Sequence, residues 1–377
     1  MIKIFMTGDN HIGRKFDSYP EIRDKLIRSR FDCLKECVQE AERQQCDFFV
    51  VTGDLFDNTN SIKVGDVREV VDILARFNGR VLVLPGNHDY YTGEEKVWKD
   101  FLNAMGQVDH NITLLREMCP IAMEVREETV WFYPALCQSK HSQQNNLGWI
   151  KAEEMSGEGY HVGIAHGAIE GLTPDMKNEY FLMSERELLA IPVDAWLIGH
   201  THIPYPADLK EDGETVGYKI FNAGTHEQTD LHNNTRGYCF VLTLDRQGGA
   251  TKVSAHSYVS GKVRYYDLAV KAEPDVRLRQ TIRDALSAVE TPAVVRLTIT
   301  GTASPEDYRD RYTIYDELSG ELLSFEPVDA GLSEQITVEQ IRAEFAEIGF
   351  AASLLEGLMD DPKEVQMAYG LLNECRE

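Results

Sequence analysis

Short apolar, β-rich runs alternate with helical patterns through the first 200 residues. Residues 2–7 (IKIFMT), 47–52 (DFFVVT), 80–85 (RVLVLP), 160–167 (YHVGIAHG) and 194–200 (DAWLIGH) read as buried strands. Between the first two, Ile22, Leu26, Ile27, Phe31, Leu34, Val38 and Ala41 fall on one face of a long helix. Residues 64–77 give a second helical pattern before the third strand. This alternation predicts a layered α/β core with a mainly parallel sheet, which places ligands beyond the carboxyl ends of its strands.

The pattern changes after about residue 215. Residues 218–224, 237–244 and 251–259 read as strands without long helices between them, suited to a second sheet closing on the first. A new unit starts near Val263. Residues 264–270 predict a strand, 275–289 a helix and 293–301 another strand, a small α+β unit. From Thr337 onward the reading is helical, with Val338, Ile341, Phe345 and Ile348 on one face. Asp361-Pro362 supplies an N-cap and first-turn start for a last helix. The expected division is therefore residues 1–262, 263–335 and 336–377.

Composition narrows the class. With 377 residues and 43% apolar content, the chain is long enough for more than one packed domain. It has no stretch of about 18 apolar residues, so no membrane span is expected. The first ten residues reach polar and acidic positions without a signal-peptide core, which argues for a cytoplasmic protein. Its seven cysteines are odd in number, scattered and free of any CxxC pair, which argues against a disulfide framework or a thiolate zinc site.

Charge complicates the choice of partner. The formal net charge is −24. Residues 263–377 carry 11 Lys+Arg against 23 Asp+Glu, while residues 1–262 carry 27 against 39. Each part is therefore −12, and the shorter one is more than twice as acid-dense. Such a field repels nucleic acid, so a polyanion must meet a local basic patch or a metal centre in the first part.

The candidate chemistry lies directly after the strands. The first is followed by Gly8-Asp9-Asn10-His11, the second by Gly53-Asp54-Leu55-Phe56-Asp57 and the third by Gly86-Asn87-His88-Asp89. The fourth ends in His166-Gly167 and the fifth in Gly199-His200-Thr201-His202. Taken singly, each piece also reads as turn or cap chemistry. Five such segments in order point instead to one convergent site. Carboxylate, amide oxygen and imidazole form a donor set suited to manganese, iron(II) or zinc, with magnesium weaker. The donors are too many for one ion and enough for two, and two ions can clamp the attacking and leaving oxygens of a phosphoryl transfer.

This ordered set resembles the calcineurin-like metallophosphoesterases, and among them the SbcD-type DNA-repair nucleases. The closer likeness also uses Asn222-Ala223-Gly224-Thr225, Arg236-Gly237-Tyr238 and the layout of core, cap and tail. The resemblance implies a four-layer α/β/β/α sandwich with a small α+β cap and a helical tail. It implies two divalent ions, manganese foremost. Asp9, His11 and His202 would hold one, Asn87, His166 and His200 the other, and Asp54 would bridge them. His88 would contact the phosphate and assist the leaving oxygen, and Asp57 would orient His88 through a hydrogen bond. The protein Ser/Thr phosphatases of the superfamily differ, having Arg where Asn58 stands and Glu where Asp89 stands.

The same resemblance implies a DNA endo/exonuclease subunit that forms a homodimer and works with an SbcC-like, SMC-type ATPase docked on the tail. A tail packed on its own chain is the plainer alternative. Arg14 and Lys15, just past the first motif, are candidate DNA contacts, while Arg23, Lys25, Arg28 and Arg30 read equally as a solvated helix face. Tyr90 and Tyr91 are suited to stacking on a base or to packing. His226 reads as a loop histidine or as a group approaching the phosphate. The alternative function is a small-molecule phosphodiesterase or phosphatase on the same core, which the acidity favours.

Overall fold

The computed structural model describes residues 1–155, 157–172, 177–207, 209, 215–247, 249–345 and 349–375. The chain divides into two compact units, Met1–Val263 and Arg264–Glu377.

In chain order the first unit runs β1 (Ile2–Thr7), α1 (Arg23–Arg43), β2 (Phe48–Val51), α2 (Val64–Leu74), β3 (Arg80–Val83), α3 (Lys96–Met105) and β4 (Ile112–Leu114). There follow β5 (Ile121–Val125), β6 (Glu128–Ala135), β7 (Tyr160–His166), α4 (Glu185–Ala190) and β8 (Ala195–Gly199). It closes with β9 (Thr215–Val216), β10 (Ile220–Phe221), β11 (Tyr238–Gln247) and β12 (Ala250–Val259). One sheet has the order β4-β3-β2-β1-β11-β12-β9 and the other β10-β8-β7-β6-β5.

Alternation along each strand builds the layers. Ile2, Ile4 and Met6 of β1 face an inter-sheet core with Phe48, Val50 and Leu82, and meet Val130, Phe132, Val162, Ile164 and Leu197 of the second sheet. The intervening Phe5, Phe49, Val51, Val81 and Val83 face the other way, onto Leu34, Cys37, Val38 and Ala41 of α1 and onto α2 and α3. On the far side of the second sheet, Tyr133, Ala165, Trp196 and Ile198 pack with Leu188 of α4. Strands apolar on both faces are what a sheet covered on both sides requires. The layers are thus α/β/β/α.

One expectation is corrected. Two of the three late strands do not join the second sheet. β11 pairs antiparallel with β1, and β12 with β11, so both extend the first sheet. The strand expected over residues 218–224 shrinks to β10, which joins β8. Gly217 and Gly224 flank it at φ 95° and 74°, a left-handed backbone that ends extended pairing.

The second unit contains β13 (Arg264–Ala272), α5 (Leu278–Leu286), β14 (Ala293–Ala303), α6 (Pro305–Leu318) and β15 (Ser324–Glu334). Its three strands pair in parallel, in chain order, and their helices share a core with Leu297 and Ile299. Then come α7 (Val338–Glu344), α8 (Phe350–Gly357) and α9 (Pro362–Glu374), which enclose Ile341, Phe345, Ala352, Leu355 and Val365. Asp361 caps α9 through the Glu364 amide at 3.2 Å. Ile348, expected on the α7 face, lies outside the described residues. Among the described residues, no helix is long and apolar enough to cross a membrane.

Candidate metal centre

The loops after β1, β2, β3 and β8 and the end of β7 meet at one edge of the two sheets. They are bonded to one another through main chain. The Asp9 amide donates to Gly53 O at 3.0 Å, His11 to Asp54 O at 2.9 Å and Ile12 to Leu55 O at 2.9 Å. The His88 amide donates to Asp54 Oδ1 at 2.8 Å, and the His200 amide to Asp9 Oδ2 at 2.9 Å. Asp89 ties two loops together, its oxygens accepting from Gly86 N at 2.7 Å and Phe56 N at 3.0 Å.

Five of the seven expected ligands are held in the left-handed backbone region: Asp9, His11, Asp54, His200 and His202, at φ 50°, 44°, 51°, 108° and 54°. Each such residue costs on the order of 1–3 kcal/mol and persists where surrounding bonds over-determine it. The glycines leave no spare room. A Cβ at Gly53 would collide with the His166 ring, and one at Gly86 with the Asp54 carboxylate.

Three groups of donor atoms lie close enough to hold an ion: Asp9, His11 and His202; Asp54, His166 and His200; and His11, Asp57 and His88. Asn87 joins the second group, with Oδ1 at 3.0 Å from both His166 Nε2 and His200 Nδ1. Asp54 Oδ2 links the first two groups, 3.4 Å from His166 Nε2 and 3.8 Å from His11 Nε2. His202 Nε2 lies 3.5 Å from Asp9 Oδ1 and 3.1 Å from His11 Nε2.

Several donors are aimed by an outer partner. His166 Nδ1 is 2.9 Å from Thr52 O, so it carries the proton and Nε2 faces inward. Asn87 Nδ2 donates to Lys140 O at 3.4 Å, which turns Oδ1 toward the histidines. The structure corrects the expected role of the Asp57 side chain. Its carboxylate lies 3.3 Å from His11 Nδ1, while His88 Nδ1 meets the Asp57 main-chain carbonyl at 3.1 Å. The residue does bond His88, but through its backbone.

Electrostatics follow from this crowding. Burial pushes His11 and His200 down to about 4, so both are neutral near pH 7. Burial opposes the charged form of His166 too, but the neighbouring Asp54 outweighs it and lifts that imidazole to about 9. Burial would raise Asp54, yet His166 and His11 hold its carboxyl well below the usual range. Asp89 goes the other way, to about 8, through burial and then through Asp54.

The donor set fits divalent cations. Asp9, Asp54, Asn87 and His166 are buried, their acceptor atoms converge, and among the described residues the side-chain ion pairs of Asp9 and Asp54 are with histidines alone. Hard oxygens and imidazole nitrogen match manganese, iron or zinc, and no thiol stands among the donors. His88, His200 and His202 are half-buried, so the site opens to solvent on their side.

The remaining expectations divide. Arg14 is half-exposed and lies 3.5 Å from Asp230; Lys15 is exposed. Arg23 sits 4.0 Å from Asp17, Lys25 is exposed, and Arg28 pairs with Asp32 and Glu69. Arg30 overturns the reading of a solvated face. It is buried, with Nε donating to Asn10 O at 2.7 Å and an Nη to Asp9 O at 3.3 Å. His226 is wholly buried, its Nε2 3.0 Å from Arg30 O, and is a packing residue rather than a phosphate contact. Tyr91 packs against both large cores, and Tyr90 is half-buried. Tyr180 was missed by the sequence reading. Its ring lies 5.1 Å from that of His200, and no strand or spacing marks it.

Comparison with known proteins adds a second line. A family model described as calcineurin-like phosphoesterase matches residues 2–204. The chain is 23% identical over 309 residues to the uncharacterized metallophosphoesterase YhaO of Bacillus subtilis, covering 79% of this chain and 71% of that one. It is 22% identical over 358 residues to the DNA double-strand break repair protein Mre11 of Methanosarcina acetivorans, covering 93% of this chain but 53% of that protein. Among solved structures, the calcineurin-like phosphoesterase YfkN of Bacillus subtilis aligns at 15% identity and a TM-score of 0.42, over 69% of this chain and 90% of its own. A dimetal phosphatase from Danio rerio aligns at 12% identity and 0.36, over 60% and 88%.

Proposed function

The chain belongs to the calcineurin-like phosphoesterases, metal-dependent hydrolases of phosphoesters, and from that premise we propose that it is a DNA endo/exonuclease acting through a pair of divalent ions, manganese foremost. One observation carries the reading: two donor groups joined by Asp54 and opening beside the half-buried His88. Asp9, His11 and His202 would hold one ion, Asn87, His166 and His200 the other. Such ions supply charge for a phosphoryl oxygen and lower the pKa of water to near neutrality.

The chain's own residues do the rest. Neutral His11 and His200 present lone pairs without first losing a proton. The Asp57 carbonyl accepts from His88 Nδ1 and turns Nε2 outward, where, in the imidazolium form, it would donate its proton to the departing sugar oxygen. Thr225 Oγ1 and Arg30 hold the Asp9 carbonyl from behind, at 2.9 Å and 3.3 Å, so the first loop keeps its geometry.

DNA is proposed as the substrate because the similarity to the Methanosarcina acetivorans break-repair protein extends over 93% of this chain. Lys15 and Arg14, which line a cleft of about 520 Å³, are proposed as contacts to flanking phosphates. We propose further that the enzyme is cytoplasmic and homodimeric and docks an SbcC-like, SMC-type ATPase on its helical tail. Phe350 and Leu354 of α8, and Met367 and Leu371 of α9, are exposed apolar pairs at i, i+4, the spacing that meets an apolar helix face.

A second reading has its own support. Arg14 and Arg28 are paired with acids and Arg30 is buried, so the basic patch is thinner than the sequence suggests. A small phosphodiester would suit that better. Manganese-dependent cleavage of linear DNA, measured beside bis-p-nitrophenyl phosphate and cyclic nucleotides, separates the two. Rapid DNA cleavage supports the nuclease. Intact DNA at enzyme excess, with fast turnover of small diesters, supports the alternative.

A further inference from the structure

A second cavity flanks the metal centre on the His202 side. It encloses about 240 Å³ and is lined by Ile203, Pro204, Tyr238 and Phe240, with Thr235 and Ser257 as its polar members. Ile203 follows His202 directly, so one wall of the cavity begins a single residue, about 3.8 Å of Cα spacing, from an expected ligand. That wall is pinned. Tyr205 and Asn222 exchange two main-chain hydrogen bonds at 2.8 and 2.9 Å, and Asn233 Nδ2 donates to His202 O at 3.2 Å. The opposite wall is sheet, where Phe240 of β11 pairs in register with Ser257 of β12.

Two features point to an occupant. Ser257 is only 6% exposed, and among the described residues its Oγ has no hydrogen-bond partner, although buried hydroxyls are nearly always satisfied. Ile203, at 43% exposed, is a large apolar side chain in contact with water. A group that covered Ile203 and met the hydroxyl would relieve both. It would be flat, largely apolar on its faces and polar at its edge.

We propose that this cavity receives the nucleobase next to the phosphodiester held at the metal centre. The inference rests on the nuclease reading for its ligand. The faces of a base suit Tyr238 and Ile203, with the buried Phe240 forming the floor behind them, and its edge suits Ser257. A hydroxyl both donates and accepts, so it meets any base edge and does not choose strongly among the four. The pocket therefore positions one unstacked nucleotide without imposing sequence.

The test uses the full chain with EDTA present, so that nothing is cleaved. The probes are 2-aminopurine riboside, which has no phosphate, and a single-stranded oligonucleotide carrying 2-aminopurine. Wild type should give a saturable fluorescence change with both. Ser257→Leu, which fills the cavity, and Ala207→Leu, at an exposed position that also lines it, should each weaken riboside binding by about tenfold or more, roughly the loss of one well-packed contact. Unchanged thermal unfolding of Ala207→Leu guards against a folding artefact. No binding of the riboside by wild type, or equal binding by all three proteins, would overturn the proposal. The nuclease reading fails separately: a riboside site that disappears in the variants, in a manganese-loaded enzyme that leaves DNA intact, keeps the base pocket and discards the nuclease.

Discussion

Arg30 donates from Nε to the main-chain carbonyl of Asn10 at 2.7 Å, deep beneath the metal loop. The guanidinium stands on the apolar stripe of α1, three residues after Ile27 and four before Leu34, and serves as a rivet between helix and loop. Arg30→Met keeps roughly the same volume, strands the Asn10 carbonyl and removes one donor from that of Asp9, which keeps Thr225. The expected loss is about 3 kcal/mol of stability, since bonds from a buried charged donor are among the costly ones to delete. Urea unfolding measures it. An unchanged midpoint would remove Arg30 from the support of the site.

Asp57 faces His11 with its carboxylate and His88 with its carbonyl. Asp57→Asn therefore should weaken metal binding by roughly 10–100-fold, the usual effect of losing an outer partner of a ligating imidazole. The His88 contact survives, because it uses the backbone. Metal titration followed by calorimetry reads the affinity. A variant with normal affinity but altered pH dependence of kcat would show that the carboxylate serves His88 after all.

His88 and Asp54 should separate under mutation. His88→Gln is expected to keep its metal while kcat falls by about 10²–10⁴, the worth of a positioned proton donor. Asp54→Asn is expected to lose metal, because its carboxylate joins both donor groups. Elemental analysis beside an activity assay checks this. Equal metal loss in both would contradict the division.

In the metal-free protein, stability should rise with pH between about 4 and 6.5. His11 and His200 sit at about 4 and His226 also lies below its ordinary value, in each case chiefly through burial. In that window the unfolded chain binds these protons and the folded one does not, so acid favours unfolding. Asp89, raised to about 8, opposes, as do Glu227 and Asp66, whose carboxyls burial also raises. The stabilisation of His166, raised to about 9, is full below about 6.5 and fades as pH climbs through 9. Chemical denaturation in EDTA across pH 4–9 should therefore show a maximum inside the range. A monotonic fall from pH 4 would contradict it.

Much of the site was legible because metal donors sat directly after apolar runs, and the parallel core of the first unit turns every such strand end to one edge. The local sequence could not report which sheet a late strand joins. β11 and β12 read as strands correctly, but pairing with β1 is a long-range choice that no nearby residue encodes. Arg30 had a local signal, its place on the helix stripe, but charge suggested solvent. Tyr180 had none, since a loop residue reaches His200 through tertiary packing alone. Asp57 showed the finest limit: spacing brought it to the site, but not which of its atoms faces which histidine.

Anomalous scattering from a crystal grown with manganese addresses the central claim most directly. Two peaks about 3.5–4 Å apart are predicted. One should lie among Asp9, His11 and His202, the other among Asn87, His166 and His200, with Asp54 touching both. A single peak, or none within reach of these side chains, would contradict the account.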